Sequence, residues 1–273
     1  MFLTSVKRTI IYECPKCELG ATAKIAITKK MLYGSSKFYS FVAVKKNINN
    51  YVEKYERVVE RMSMFVTGGS VLDVGGGFGL FSSLLSKEKL FKVTMLEPHL
   101  KPFFLENVKH VKWIKKTFLK FRGRRGTYSA ITFLDVLEHF KDPLIALDLA
   151  RELLKNRGHI IVLVPNYKSA MRALSKDWPW WMVEDHYFHF SRQSLKKILD
   201  KSGFKLLYLE SFENKKDFWT SLQGNYATVN SRILRKIVKA SILPFIFITY
   251  LVLRPLLWRS YNGGLLLAIA QKK

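Results

Sequence analysis

Apolar positions in this chain fall into short runs separated by turn-forming residues, and their period changes from run to run. Val71, Leu72 and Val74 are interrupted only by Asp73, as in a short strand buried on both faces. Four glycines follow at 75, 76, 77 and 79, and then Leu80, Phe81, Leu84 and Leu85 take up helical spacing. Upstream, Tyr55, Val58, Val59, Met62 and Phe65 recur at steps of three and four, predicting an amphipathic helix over 51–65. Further runs predict strands at Val93–Leu96, Val108–Ile114, Tyr128–Leu134, His159–Val164, Phe204–Leu209 and Gly263–Ala270. Helices are predicted at Pro143–Leu154 and from a Ser191 cap to Gly203. This alternation predicts an α/β fold, a doubly wound, mostly parallel sheet of seven strands.

The pattern divides the chain into an extension over 1–50, a core over 51–212 with a lid near 169–190, and a terminal segment over 213–273. The extension is hard to read. Its Cys14-Pro-Lys-Cys17 is half of a zinc-ribbon pattern, but a structural zinc site needs four ligands and the chain has no other cysteine. A plain turn carrying two thiols is the expectation. In the terminal segment, Ala240–Leu253 is uncharged and strongly apolar, with Pro244 expected to break a straight helix early. Fourteen residues fall short of the roughly twenty that span a bilayer. Lys239 and Arg254 bracket the run, so it suits either a helix on an anionic membrane surface or a helix buried over the sheet.

Charge narrows the candidates for a partner. The 273 residues carry 46 Lys and Arg against 21 Asp and Glu, a formal charge of +25. An anionic membrane surface, nucleic acid and an acidic substrate all suit such a balance. Lys112, Lys115, Lys116, Lys120, Arg122, Arg124 and Arg125 cluster with Trp113, Phe118 and Phe121, a mixture found where single-stranded nucleic acid stacks, and equally on a solvated face. Two cysteines and no continuous apolar leader suggest a cytoplasmic protein, peripheral at the inner membrane surface if the apolar segment docks there.

The glycine stretch carries the most specific chemistry. A strand, a glycine turn and a helix bring backbone N–H groups against a ligand. The dinucleotide fingerprint G-x-G-x-x-G does not fit, because Leu80 or Ser82 stands where its third glycine is required. Asp73, Gly75, Gly77 and Gly79 form D-x-G-x-G-x-G, which resembles the first motif of class I S-adenosylmethionine-dependent methyltransferases. Glu97, at the tip of the next strand, is placed to accept from both ribose hydroxyls. Leu134-Asp-Val-Leu-Glu-His-Phe-Lys-Asp-Pro143 resembles the fourth-strand motif of small-molecule methyltransferases, including the ubiquinone-pathway O-methyltransferases. The His186 to Ser191 stretch resembles the H-x-x-H-F-S segment of the same superfamily.

The resemblance implies a Rossmann-like core that binds S-adenosylmethionine. Gly75, Gly77 and Gly79 would position it, Asp73 would order the loop, and Glu97 would hold the ribose. Leu134 and Asp135 would flank the methionine end. After the third strand the sequence departs from the family, which often has an acidic residue near the adenine: Lys115, Lys116, Thr117 and Phe118 stand there, with Phe118 the candidate to stack. His139 or His186 would accept a proton from a hydroxyl or amine. Glu138 and His139 equally suit a structural role, tying down the loop. Asp135, Glu138 and His139 match a spacing implicated in metal binding in some ubiquinone-pathway relatives, though no metal is expected here. The implied function is methyl transfer to a small-molecule or lipid-like acceptor, at oxygen. An RNA methyltransferase and a catalytically silent protein of this fold are the alternatives.

Overall fold

Apolar runs bounded by turns pair into two sheets in the computed structural model, which describes residues 1–6, 9–23, 41–106, 108–173, 178–214, 218 and 243–273. In chain order the elements begin with β1 (Phe2–Val6), β2 (Thr9–Glu13), β3 (Gly20–Thr22), α1 (Phe41–Lys46), α2 (Ile48–Ser63) and β4 (Gly69–Val74). Next come α3 (Leu80–Ser86), β5 (Phe91–Leu96), β6 (Val111–Ile114), β7 (Tyr128–Leu134), α4 (Pro143–Leu153) and β8 (Leu154–Pro165). The chain continues through α5 (Ala170–Ala173), β9 (Phe188–His189), α6 (Arg192–Lys201), β10 (Phe204–Phe212), α7 (Leu243–Arg259) and β11 (Leu265–Lys272).

The large sheet has seven strands in the order β10-β11-β8-β7-β4-β5-β6. The pairs β4–β5, β5–β6, β4–β7 and β7–β8 are parallel, whereas β11 runs antiparallel to both β8 and β10. Chain order reverses between β4 and β7, which opens a crevice at the carboxyl ends of those strands. Side-chain alternation builds a core on each face. Ile160, Val162 and Val164 of β8 pack with α4 and α6, and Ile161 and Leu163 pack with α2 and α3. The predicted face of α2 lies inward, with Val58 and Met62 fully buried and Tyr55, Val59 and Phe65 packed beside them.

Other boundaries follow local chemistry. Asp142 accepts from the N–H groups of Leu144 and Ile145 and so starts α4, with Pro143 in its first turn. Ser191 and Ser194 cap α6 reciprocally. Pro244 does not break its helix early. It stands in the first turn of α7, where a missing N–H costs nothing, and the helix runs on to Arg259 with Pro255 inside it. Residues 240–242 of the predicted apolar stretch lie outside the described residues.

The extension forms a second sheet, order β1-β2-β3-β9, whose last strand comes from the histidine segment. Gly20 pairs with His189 and Ala21 with Phe188. Cys14 and Cys17 occupy the turn between β2 and β3, closed by Glu18 N–H donating to the Cys14 carbonyl (2.8 Å), and both thiols are free. Tyr167 donates its hydroxyl to the Glu18 carbonyl (2.7 Å), and Ser191 donates to the Glu18 side chain (2.9 Å). The extension is thus tied to the stretch predicted as a lid.

Candidate functional site

The loop after β4 is shaped by backbone that only glycine takes up readily. Gly75, Gly77 and Gly79 have φ of 67°, 57° and 84°, all left-handed. Gly75 and Gly76 donate to the Leu96 carbonyl (2.8 and 3.1 Å), which fastens the loop to β5. A side chain at 76 would collide with Met95, 2.4 Å from an added Cβ. At Gly77 the nearest heavy atom to such a Cβ is Leu100 Cδ1 at 4.0 Å, so the loop opens there.

Two acidic side chains hold that loop. Asp73, 1% exposed, accepts from Ser82 Oγ on α3 (2.7 Å) and Thr132 Oγ1 on β7 (2.8 Å). Burial pushes its pKa up to about 6, although the two hydroxyls favour the anion. Glu97 is equally enclosed. Its Oε1 accepts from the backbone N–H of His99 (2.8 Å) and Leu100 (3.0 Å), and its Oε2 from Gly77 N–H (3.1 Å). A carboxylate has about four acceptor positions, so Oε2 retains capacity for a further donor.

The loop after β7 abuts this one, since an added Cβ at Gly75 would touch Val136 at 2.8 Å. Leu134 is buried against the face shared with α2, and Asp135 takes a left-handed φ of 56°. Asp135 Oδ2 receives Lys54 Nζ at 2.5 Å, an ion pair in which the lysine is 3% exposed. Burial pulls the Lys54 pKa down, but Asp135, then Tyr55 and Tyr51, outweigh it and hold the ammonium well above its ordinary value. Sequence reasoning missed Lys54. The signal was available: with Val58 and Met62 it occupies positions i, i+4 and i+8 of the buried stripe of α2.

Three histidines gather beyond Asp135. The rings of His139 and His186 meet edge to face at 4.7 Å, and those of His186 and His189 lie 6.1 Å apart. His139, half-buried, directs Nδ1 to the Asp185 carbonyl at 3.0 Å, and a carbonyl only accepts. Nδ1 therefore carries the proton, and Nε2 keeps the basic lone pair. His186 is 2% exposed and sits behind it. Thr22 donates its hydroxyl to the His186 carbonyl (2.7 Å), so at 3.0 Å it accepts from His189 Nε2. Burial lowers the pKa of all three: His139 against opposition from the Asp185 carbonyl and Asp135, His186 with help from its neighbours, His189 to about 3. All are neutral at physiological pH.

Glu138 completes the cluster. It is 1% exposed, and neither carboxyl oxygen has a hydrogen-bond partner among the described residues. Burial, then the charge on Asp135, drives its pKa well above the ordinary range. Glu138, His139 and His186 present donor atoms all within 4.8 Å of one another, an arrangement able to hold a cation. Asp135, which the sequence pattern grouped with Glu138 and His139, is engaged by Lys54 instead.

Phe118 does not stand ready for stacking. It is 4% exposed and packs edge-on against Phe133 (5.3 Å) and Phe140 (6.3 Å), so its ring belongs to the core. Phe121 is also buried, and Trp113 donates to the Glu97 carbonyl (3.1 Å). Of the aromatic residues in the basic 112–125 stretch, Phe118 and Phe121 are thus committed inward, while Trp113 stays 39% exposed.

A family described as a methyltransferase domain matches residues 47–209. A ubiquinone biosynthesis O-methyltransferase of Vibrio campbellii is 32% identical over 118 residues, covering 40% of this chain and 50% of the relative. The chain thus spans about half the length of the curated relatives it matches. A solved S-adenosylmethionine-dependent methyltransferase from Archaeoglobus fulgidus superposes with a TM-score of 0.59 at 20% identity, covering 86% of this chain and all of that one (100%). The 1,6-didemethyltoxoflavin-N1-methyltransferase of Burkholderia thailandensis, solved with S-adenosylhomocysteine, gives 0.57 at 12% identity, covering 100% of this chain and 99% of that one.

Proposed function

Because the chain belongs to the methyltransferase-domain family, of the class I S-adenosylmethionine-dependent type, we propose that it methylates a hydroxyl of a small, apolar or lipid-like acceptor, with His139 taking the proton. The residues present fit the cofactor of that family. Space opens beside Gly77, Glu97 Oε2 keeps acceptor capacity for a ribose hydroxyl, and the nearby buried cation, Lys54, is already paired with Asp135. Gly75, Gly77, Gly79 and Glu97 would hold it, with Asp73 fixing the loop and Leu134 and Asp135 at its methionine end. S-adenosylmethionine supplies an electrophilic methyl carbon whose departure leaves a neutral thioether.

The protein's task is then positioning and proton removal. The observation that carries the reading is the His139 tautomer. Its Nδ1–H is spent on the Asp185 carbonyl, so a neutral Nε2 is left to accept the acceptor's proton. The imidazolium so formed would have the Asp135 carboxylate as its nearby counter-charge. Trp181, buried and edge-on to His189 at 5.0 Å, makes the surroundings of the histidines apolar, which suits an apolar acceptor. The match to ubiquinone O-methyltransferases supports oxygen as the acceptor atom. His139→Gln is expected to lower turnover by about a hundredfold or more, with S-adenosylhomocysteine affinity within about twofold of wild type by calorimetry. Unchanged turnover would remove His139 from the chemistry and leave His186 to be tested.

A further inference from the structure

Helix α7 is apolar on both sides, and the described residues cover only one of them. Ile246, Phe247, Tyr250 and Leu257 face a cluster that includes Trp178, Trp181 and Tyr167. Tyr250 and Trp258 both donate to the buried Glu213 carboxylate, Trp258 at 2.8 Å, so this inner face is fixed. The outer face is different. Phe245, Ile248, Val252 and Leu256 recur at steps of three and four and form one stripe, exposed by 72, 60, 72 and 61%. Leu253 flanks the stripe at 44%. Single exposed apolar residues are ordinary, but a continuous row about 16 Å long is not.

We propose that this face docks on an anionic membrane surface, with α7 lying in the plane of the interface. Charge selects that occupant. From Phe218 to Lys273 the sequence contains no Asp or Glu and eight Lys or Arg; on α7 itself Arg259 is exposed, while Arg254 turns inward to Glu213. A chain of formal charge +25 repels a second copy and attracts anionic headgroups. No described helix is long and apolar enough to cross a membrane, and a surface helix needs only one face submerged. The inner face of α7 shares its cluster with Trp181, which meets the ring of His189. Docking would therefore bring the apolar surroundings of the histidine cluster toward the bilayer, a reservoir of apolar acceptors. Only this delivery step rests on the proposed methyl transfer; the docking rests on the surface.

Flotation of the full chain with phosphatidylglycerol–phosphatidylcholine vesicles tests the docking. Wild type should float with anionic vesicles at low salt, about tenfold less at high salt, and little with phosphatidylcholine alone. Phe245→Asp/Val252→Asp should reduce partitioning at least about tenfold with unchanged melting temperature and S-adenosylhomocysteine affinity. Ile248→Lys, which adds positive charge while breaking the stripe, should also weaken binding if apolar insertion matters. Wild type failing to float at low salt, or all variants floating equally, would overturn the proposal. So would a dimer in light scattering that the double variant dissolves without any vesicle binding. Loss of cofactor affinity in wild type would instead break the methyltransferase reading and leave the docking result standing.

Discussion

The two loops that meet at the crevice obey different rules. After β4 the polar groups of the glycine loop are largely matched: Asp73 has two hydroxyl donors, Glu97 has three backbone donors, and Gly75 and Gly76 share one carbonyl. After β7 the accounts stay open. Glu138 is buried with no hydrogen-bond partner among the described residues, three histidines are held neutral, and Asp135 depends on one lysine from another element. A cradle for a fixed ligand gains from rigidity, whereas groups that exchange protons need unmet capacity. The comparison can be broken at four points.

The largest effect is expected at Gly77. Gly77→Arg puts a long side chain into the one open side of the loop, at a φ that disfavours any side chain. Cofactor affinity should fall beyond detection, at least about a hundredfold by calorimetry. Equal affinity would show that the cofactor lies elsewhere. Lys54→Met comes next, because it strands the Asp135 charge in a buried site. We expect a loss of about 3–5 kcal/mol in denaturant unfolding, much of it recovered in Lys54→Met/Asp135→Asn. A double variant no better than the single would remove the ion pair as the cause.

Asp73 gives a smaller effect with a definite sign. Its folded pKa of about 6 exceeds its ordinary 3.8, so across that window the folded protein retains a proton that the unfolded chain releases. Wild type should therefore lose stability relative to Asp73→Asn as pH rises from 3.8 to 6, by up to about 3 kcal/mol. A flat difference across that range would mean that the carboxylate ionises freely in place. The smallest effect is expected for Glu138→Gln. Burial, then the charge on Asp135, already favours the neutral carboxyl, so turnover should stay within about threefold and a chelator should change nothing. A collapse of activity in both experiments would instead identify Glu138, His139 and His186 as cation ligands.

The glycine loop was legible because its constraint is local. Each left-handed φ is recorded at its own position, and β4 and β5 announce themselves by apolar runs. The seven strands of the large sheet were legible for the same reason, apart from end points such as the polar start of β8. Features that depend on distant partners were not. Lys54 meets Asp135 across 81 positions, and Thr22 meets His189 across 167. The sheet built by β1, β2 and β3 closes on a strand of two residues, too short for any periodicity to show. Phe118 stands just after the third strand, where an adenine contact was expected, yet its ring turns inward to Phe133. For α7 the sequence showed apolar character all round, and only packing shows which side is left bare.

The position of β11 has a consequence for the order in which the molecule is made. It lies between β8 and β10, so β10 joins the sheet only through a strand that follows it by some fifty residues. Strands β4 to β8 pair with one another and need nothing from that later stretch. On a ribosome the glycine loop and the loop after β7 can be in place while β10 and α6 still lack their seat. Until β11 arrives, the flank of β8 is an unpaired apolar edge, the surface on which growing chains adhere to one another. The last apolar run, Leu265 to Ala270, therefore acts as a clasp. Synthesis must reach it before that edge is safe.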